Sequence, residues 1–104
     1  MYVYDFKEAD QYTVWFENIT DAGVKDRINA RIHNAKNGNF GACEAVGEGV
    51  VEMKLRFGPG YRIYFCQCGK DAYMLLVGGT KKRQQGDIDR AKSVKRELER
   101  EGAW

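Results

Sequence analysis

The sequence predicts an α+β domain with the element order β-α-α-β-β-β-α and a mostly antiparallel sheet. Apolar side chains recur at helical spacing through much of the first 38 residues, whereas between residues 50 and 77 they alternate with a period of two. Glycine-rich turns separate the alternating segments, and a charged amphipathic stretch follows them. The 104 residues suit a single domain, residues 1–104. We expect a helical hairpin on one face of the sheet, a C-terminal helix, and a second face that is left for a ligand.

The first third of the chain predicts a short strand and two helices. Residues 2–6 alternate with β-branched and aromatic side chains and indicate a strand. The segment from about Ala9 to Ile19 has one apolar stripe at helical spacing, made of Tyr12, Trp15, Phe16 and Ile19. Thr20-Asp21 predicts the start of a second helix, and Gly38-Asn39 predicts its end. Because the connection is short, we expect the two helices to form an antiparallel hairpin.

The rest of the chain predicts strands and a last helix. Residues 39–49 are rich in glycine and predict a loop, with room for a short strand around residues 44–46. Three strands follow, separated by turn residues: Val50–Phe57, Tyr61–Cys68 and Ala72–Val77. The third is apolar almost throughout, which indicates a central strand buried on both faces. A loop over residues 80–86 leads to a helix that Asp87 caps and that ends at about Glu101.

Charge is unevenly distributed along the chain, although the formal net charge is only +2. Residues 1–50 contain five Lys and Arg against eight Asp and Glu, whereas residues 51–104 contain twelve against seven. The positive excess of the second half predicts an anionic partner. A solvated charged helix near the C-terminus explains part of this excess.

Composition argues against several classes of function. Three cysteines and a single histidine, at no recognisable spacing, predict reduced thiols, no metal site and no cofactor. No apolar run is long enough to cross a bilayer, and the first residues lack the pattern of a signal peptide. We therefore expect a cytoplasmic protein that has no membrane partner.

The Gly-Pro-Gly turn at residues 58–60 predicts which residues of two strands lie opposite each other. A three-residue loop places Arg56 opposite Arg62 and Lys54 opposite Tyr64, on the face away from the core. Two arginines directly across a ladder repel each other, which is unfavourable by up to about 1 kcal/mol. A pair of this kind therefore indicates a face that binds an anion.

A second set of basic residues follows the last strand and extends the same face: Lys81, Lys82 and Arg83. Basic residues with a tyrosine nearby are the composition expected for contacts to an RNA backbone, so we expect Arg56, Tyr64, Lys82 and Arg83 to bind RNA. The alternative interpretation is a solvated surface in which Glu52 neutralises the neighbouring cations.

The predicted basic face has the residues that RNA cleavage requires. Attack of a 2′-hydroxyl on the adjacent phosphate needs in-line geometry, stabilisation of the phosphorane charge and two proton transfers. Arg62 and Arg56 would hold the phosphate oxygens. Lys54 would act as the base if like-charged neighbours favour its neutral form, and Lys81 would stabilise or protonate the leaving oxygen. We therefore predict that Lys54, Arg62 and Lys81 are catalytic.

Two runs of the sequence resemble a known family. GNFGACEAVGEGVVEMKLRFGPGYRIYF and LLVGGTKKRQQGDIDRA resemble the addiction-module killer proteins of the RelE/ParE superfamily, in its HigB-like, phage-related branch. The resemblance extends from the first predicted strand to the last helix. Its most specific parts are Gly58-Pro59-Gly60-Tyr61-Arg62 with Tyr64-Phe65, and Gly78-Gly79 with Lys81 and Asp87-Ile88.

The resemblance implies the RelE-like β-α-α-β-β-β-α fold and a function. It implies a toxin of a type II toxin–antitoxin system, which enters the ribosomal A site and cuts messenger RNA there. We therefore expect a metal-independent endoribonuclease whose partners are the ribosome, messenger RNA and a cognate antitoxin, often a helix-turn-helix protein. The resemblance assigns four residues to the basic site: Lys54, Arg56, Arg62 and Lys81. Glu52 stands where RelE has a further lysine, and Asp87 or Ile88 where it has a catalytic tyrosine.

Two other functions stay open on the sequence alone. ParE-type members of the superfamily inhibit DNA gyrase and do not need the basic residues, so Lys54, Arg62 and Lys81 favour RNA over gyrase. A binding module without catalysis would bind RNA and leave it uncut. A metal-dependent enzyme fits poorly, because the chain has one histidine and no clustered carboxylates.

Overall fold

The structure, a computed structural model, describes residues 2–104 and shows an α+β fold with a five-stranded sheet and three helices. The strands are β1 (Asp5–Glu8), β2 (Cys43–Gly47), β3 (Val50–Leu55), β4 (Tyr61–Gly69) and β5 (Ala72–Thr80). The helices are α1 (Asp10–Glu17), α2 (Ala22–Lys36) and α3 (Gln84–Arg100), and a 3₁₀ turn (Lys81–Arg83) precedes α3. The predicted fold class is confirmed at this level.

The sheet has the strand order β1-β5-β4-β3-β2 and is antiparallel except for the parallel pair β1–β5. Strand β5 is buried on both faces, as its apolar sequence predicts: Leu75 belongs to the core under α1 and α2, and Met74 and Leu76 belong to the core under α3. Strand β1 accompanies β5 only as far as Leu75. The outer edge of β5 beyond that residue therefore has no strand beside it.

Helices α1 and α2 pack on one face of the sheet, as expected. The Asp21 side chain accepts hydrogen bonds from the backbone N–H groups of Gly23 and Val24, which fixes the start of α2. Gly38 adopts a φ of 96° directly after the helix, a conformation that suits glycine at a helix end. The fully buried core of this face is apolar: Tyr12, Ile28, Ile32, Ala35, Met53, Leu55, Ile63, Phe65 and Leu75.

Helix α3 covers the second face, so the expectation of an open ligand face was wrong. Its narrow stripe of Ile88, Ala91 and Val94 packs on apolar residues of β4 and β5. Those two strands are apolar on both sides, and burying the second side removes their surface from water. Near the start of α3 this face changes from apolar residues to the buried charged residues Glu52, Arg62 and Asp87.

Several boundaries differ from the predicted ones. The first strand is Asp5–Glu8 and not residues 2–6, because the N–H groups of Val3 and Tyr4 donate to the Lys36 carbonyl at the end of α2. Residues 43–47 form a full strand, which adds a fourth strand after the helices. Helix α3 begins at Gln84, directly after the 3₁₀ turn, so Asp87 lies within its first turn and does not cap it. No helix among residues 2–104 combines the length and the apolarity that a bilayer span requires.

Candidate functional site

The ladder between β3 and β4 has a different register from the predicted one. Lys54 lies opposite Arg62, and Glu52 lies opposite Tyr64, because the connection is five residues long and not three. Gly58 and Gly60 both adopt a positive φ, which allows this longer loop. A shift of two residues keeps every side chain on its expected face. Arg56 falls in the loop and is not opposite Arg62, so the predicted arginine pair was wrong.

Three predicted catalytic residues lie together at one end of the sheet. Lys54 and Arg62 are cross-strand neighbours, and they share a face with the buried Tyr64 two residues further along β4. The Lys81 backbone N–H donates to the Gly60 carbonyl at 2.8 Å. A Cβ on Gly60 would lie 3.2 Å from Lys81 Cβ and 3.5 Å from Arg62 Nη1, so these side chains adjoin. We call Lys54, Arg62 and Lys81 the basic cluster.

Arg62 uses few of its hydrogen-bond donors. The residue is only 8% exposed. Its Nη1 donates to the neighbouring Tyr61 carbonyl at 3.3 Å, its Nε has no partner among the described residues, and Glu52 Oε1 is 4.0 Å from Nε. A guanidinium has five N–H donors. Arg62 therefore has N–H donors that no described residue uses, and it is less exposed than the sequence suggested.

A buried polar network lies beside the basic cluster and connects it to α3. Glu52 is fully buried, and its Oε2 accepts hydrogen bonds from the Tyr64 hydroxyl at 2.9 Å and from Gln84 Nε2 at 2.8 Å. Burial raises the pKa of Tyr64, and the hydrogen bond to Glu52 raises it further. Tyr64 is fully buried, so in this arrangement its side chain is not exposed to RNA as the sequence predicted.

Lys54 is the partly exposed member of the β3–β4 pair. Its side chain is 26% exposed, and its Nζ donates to Glu44 Oε2 at 2.7 Å. This hydrogen bond, together with the charge of Lys54, lowers the pKa of Glu44. Glu44 itself is well exposed on the edge strand β2, so the pair is a surface pair of small stabilising effect. An anion arriving at Lys54 has only this weak interaction to replace.

The other predicted RNA contacts are separate from the basic cluster. Arg56 borders an open groove between α2 and the end of β3, together with Arg27 and Arg31. Arg31 is not free in this groove, because its guanidinium donates to three backbone carbonyls: Phe40, Ala42 and Lys54. Lys82 and Arg83 are exposed in the 3₁₀ turn, as expected for residues that contact a backbone. No group of three or more His, Cys, Asp or Glu within residues 2–104 is placed to hold a metal ion.

Sequence reasoning missed two residues of this region, Gln84 and Asp87. Gln84 anchors α3 to Glu52, and the Asp87 carboxyl packs against the backbone of Gly79. Gly79 on β5 lies opposite Arg62 on β4. Lys54, Arg62 and Gly79 are therefore neighbours across three adjacent strands. The signal was the pair Gly78-Gly79, because glycine within a buried strand indicates close approach by another group.

The structure shows a small α+β protein with basic residues grouped at one end of its sheet, and one comparison places it in a family. The chain is 37% identical over 84 residues to an uncharacterized protein of Haemophilus influenzae, an alignment that covers 81% of this chain and 85% of the relative. The chain therefore belongs to the same family as that protein. No family model and no solved structure matches the chain.

Proposed function

We propose that the chain is the toxin of a type II toxin–antitoxin pair, with a RelE-like fold, and that it arrests translation by cutting messenger RNA on the ribosome. The observation that carries this proposal is Arg62, a nearly buried arginine with an unpartnered Nε, adjoining Lys54 and Lys81. Three cations grouped at one end of a sheet attract an anion, and the carboxylates of Glu44 and Glu52, beside Lys54 and Arg62, offset only part of their charge. Their grouping is typical of a site built for a phosphate.

The proposed reaction needs no metal ion. The 2′-oxygen of one nucleotide attacks the adjacent phosphorus, the bond from phosphorus to the 5′-oxygen breaks, and a 2′,3′-cyclic phosphate forms. Arg62 donates to the phosphate oxygens on which negative charge grows, and Lys81 stabilises the leaving 5′-oxygen, which takes up a proton. Lys54 receives the 2′-hydroxyl proton after it has separated from Glu44 and released one of its own protons to water.

The partners follow from this chemistry. The ribosome supplies the messenger in an ordered geometry, which the small protein does not impose alone. The antitoxin, which we expect to be a helix-turn-helix protein, neutralises the basic cluster with acidic side chains. A protein that meets ribosomes and an antitoxin works in the cytoplasm.

A second candidate is an RNA-binding module without catalysis. The pairing of Lys54 with Glu44 and the burial of Tyr64 favour it, because neither residue is presented to a substrate as a free base. The two candidates differ in one measurable result, which is the presence of new RNA ends.

The test is induced expression in a bacterial host, with growth recorded and messenger 5′ ends mapped. Lys81→Ala removes an exposed cation and leaves the core intact, and Arg62→Ala removes the central one. Lys70→Ala, in the turn between β4 and β5, is the matched control. We expect arrest with in-frame cuts for the native chain and the control, and their loss in both variants. Arrest without cuts would favour gyrase as the target, and RNA binding without cuts would favour the binding module.

A further inference from the structure

A small pocket opens at the free edge of β5, where β1 has ended. Its volume is about 200 Å³, which is below the roughly 300 Å³ of typical drug-sized sites and suits a single ring system. We call it the edge pocket. It is lined by residues of α1, β5, the 3₁₀ turn and α3: Trp15, Gly78, Gly79, Thr80, Arg83, Asp87 and Arg90.

The edge pocket has one wall on each face of the sheet. The Trp15 ring packs directly on Gly78, and a Cβ at that position would overlap it. The Asp87 carboxyl packs directly on Gly79 from the opposite face, and a Cβ there would overlap that carboxyl. Because neither glycine has a side chain, an aromatic ring and a carboxyl both lie close to the backbone at the same edge of β5. An indole offers a π-face on which any base can stack.

Asp87 is the unexplained residue of this pocket. It is 7% exposed, and its Oδ2 is buried without a hydrogen-bond partner among the described residues. Burial raises the pKa of the Asp87 carboxyl, and the nearby charges of Arg83 and Arg90 act in the opposite direction. A buried carboxylate oxygen that has no donor is unfavourable. A ligand that brings N–H donors removes this penalty once the short Asp87 side chain rotates away from Gly79 and presents its carboxylate to the pocket.

We propose that the edge pocket binds a nucleobase with adjacent N–H donors, guanine by preference, from the RNA strand whose phosphate lies on the basic cluster. The N1–H and N2–H groups of guanine are neighbouring donors on one edge, and an ionised carboxylate accepts from both. Trp15 supplies the stacking face, and Arg83 and Arg90 lie where a backbone phosphate flanks the base. This inference rests on the proposed function, because it names the nucleotide that the same site selects.

The position of the edge pocket fits one nucleotide of a bound strand. Gly79, which Asp87 contacts, lies directly opposite Arg62 in the β4–β5 ladder. Neighbouring strands lie about 4.8 Å apart. The backbones of Arg62 and Gly79 are thus about one strand spacing apart, so the basic cluster and the edge pocket lie on neighbouring strands. A free phosphate alone fits this pocket poorly, because the Asp87 carboxylate repels it.

Tryptophan fluorescence of the full chain tests binding without a ribosome. Trp104→Phe leaves Trp15 as the single tryptophan. The probes are the 5′-monophosphates of guanosine, adenosine, cytidine and uridine, and inorganic phosphate. We expect guanosine monophosphate to change the Trp15 emission at concentrations about tenfold lower than the other probes. Asp87→Asn should remove this preference, whereas Asp89→Asn, an exposed neighbour on α3, should retain it.

The outcomes separate this inference from the proposed function. An equal response to all probes, no response, or a preference that survives Asp87→Asn overturns the guanine site, whatever the cleavage assay shows. In the messenger maps, native cuts next to guanine that become indifferent to base in Asp87→Asn support it. Cuts whose base distribution is the same in both proteins overturn it and leave the nuclease standing.

Discussion

The two faces of the sheet are built by different interactions. The face under α1 and α2 is closed by apolar and aromatic side chains such as Phe6, Phe40 and Phe65, which pack at ring separations of about 6 Å. The face under α3 is apolar over half its length and then changes to buried charge, with Glu52, Arg62 and Asp87. Both faces therefore have an apolar core, but only the face under α3 also buries charged side chains, at one end.

This difference matters because buried charges stabilise a fold poorly. Removal of two charges from water offsets much of the attraction between them, and an unpartnered polar atom adds a further penalty. Glu52 Oε1, Arg62 Nε and Asp87 Oδ2 are all buried without a hydrogen-bond partner among the described residues. The Tyr12 hydroxyl is a further buried atom of this kind, in the core of the other face, but it carries no charge. The three charged groups lie together at the end of the α3 face, and their burial there is unfavourable for stability.

Gly78 and Gly79 test the comparison directly, because neighbouring glycines of one strand meet opposite faces. We expect Gly78→Ala to lower the free energy of unfolding by about 2 kcal/mol, since the rigid Trp15 ring must move from a packed position. Gly79→Ala should lower it less, because the Asp87 carboxyl is the end of a short side chain that rotates away. Urea unfolding of both variants measures their free energies of unfolding. An equal decrease in the two variants would contradict this prediction.

Gly86→Ala controls for the intrinsic effect of replacing glycine. Gly86 lies in α3, and a Cβ there meets nothing within 4 Å. Alanine should raise the free energy of unfolding by up to about 1 kcal/mol, because glycine disfavours the helix. A decrease in the free energy of unfolding for Gly86→Ala would show that factors other than steric overlap dominate in Gly78→Ala and Gly79→Ala.

The sequence predicted which face of the sheet each strand residue occupies. It did not predict the register of β3 and β4, or that α3 packs on the second face. Alternation determines the face of Lys54 and Arg62, and a slip of two residues leaves that alternation unchanged. Only the conformation of the loop at 56–60 distinguishes the two registers. The apolar stripe of α3 was recognised, yet a narrow stripe does not reveal which surface it packs on.

The interior charges of the site were less predictable still. Glu, Arg and Asp are almost always exposed, so a sequence offers no reason to bury Glu52 or Asp87. Their burial follows from the tertiary approach of the first turn of α3 to β3 and β5, which brings Gln84 to Glu52 and Asp87 to Gly79. No local pattern records a contact between residues that are 32 positions apart.

Glu52 offers a milder test of the second face. Glu52→Gln removes the charge that lies 4.0 Å from Arg62 and replaces an acceptor of two hydrogen bonds with an amide. We expect the free energy of unfolding to fall by about 1–2 kcal/mol. Glu48→Gln, which changes a carboxylate in the exposed pair with Arg96, is the matched control and should have little effect. An equal change of stability in both variants would show that the network beside Arg62 contributes no more to the fold than the exposed pair of Glu48 and Arg96.

Asp87 provides the smallest of these effects, and its replacement, like Gly86→Ala, is expected to stabilise the fold. Its pKa is raised by burial above the ordinary value of 3.8, so the folded state binds the proton more tightly than the unfolded state. Stability from this group is therefore fully present below pH 3.8 and falls as the pH rises through the raised pKa.

Asp87→Asn removes the ionisation. We expect the variant to unfold at a higher urea concentration than the native chain at neutral pH, with the gap closing as the pH falls toward 3.8. Glu44 and Glu48, whose pKa values are lowered, give the opposite slope in both proteins and cancel in the difference. A native chain more stable than Asp87→Asn at neutral pH would mean that Asp87 holds the fold together, and the argument that its carboxylate is kept for a ligand would fail.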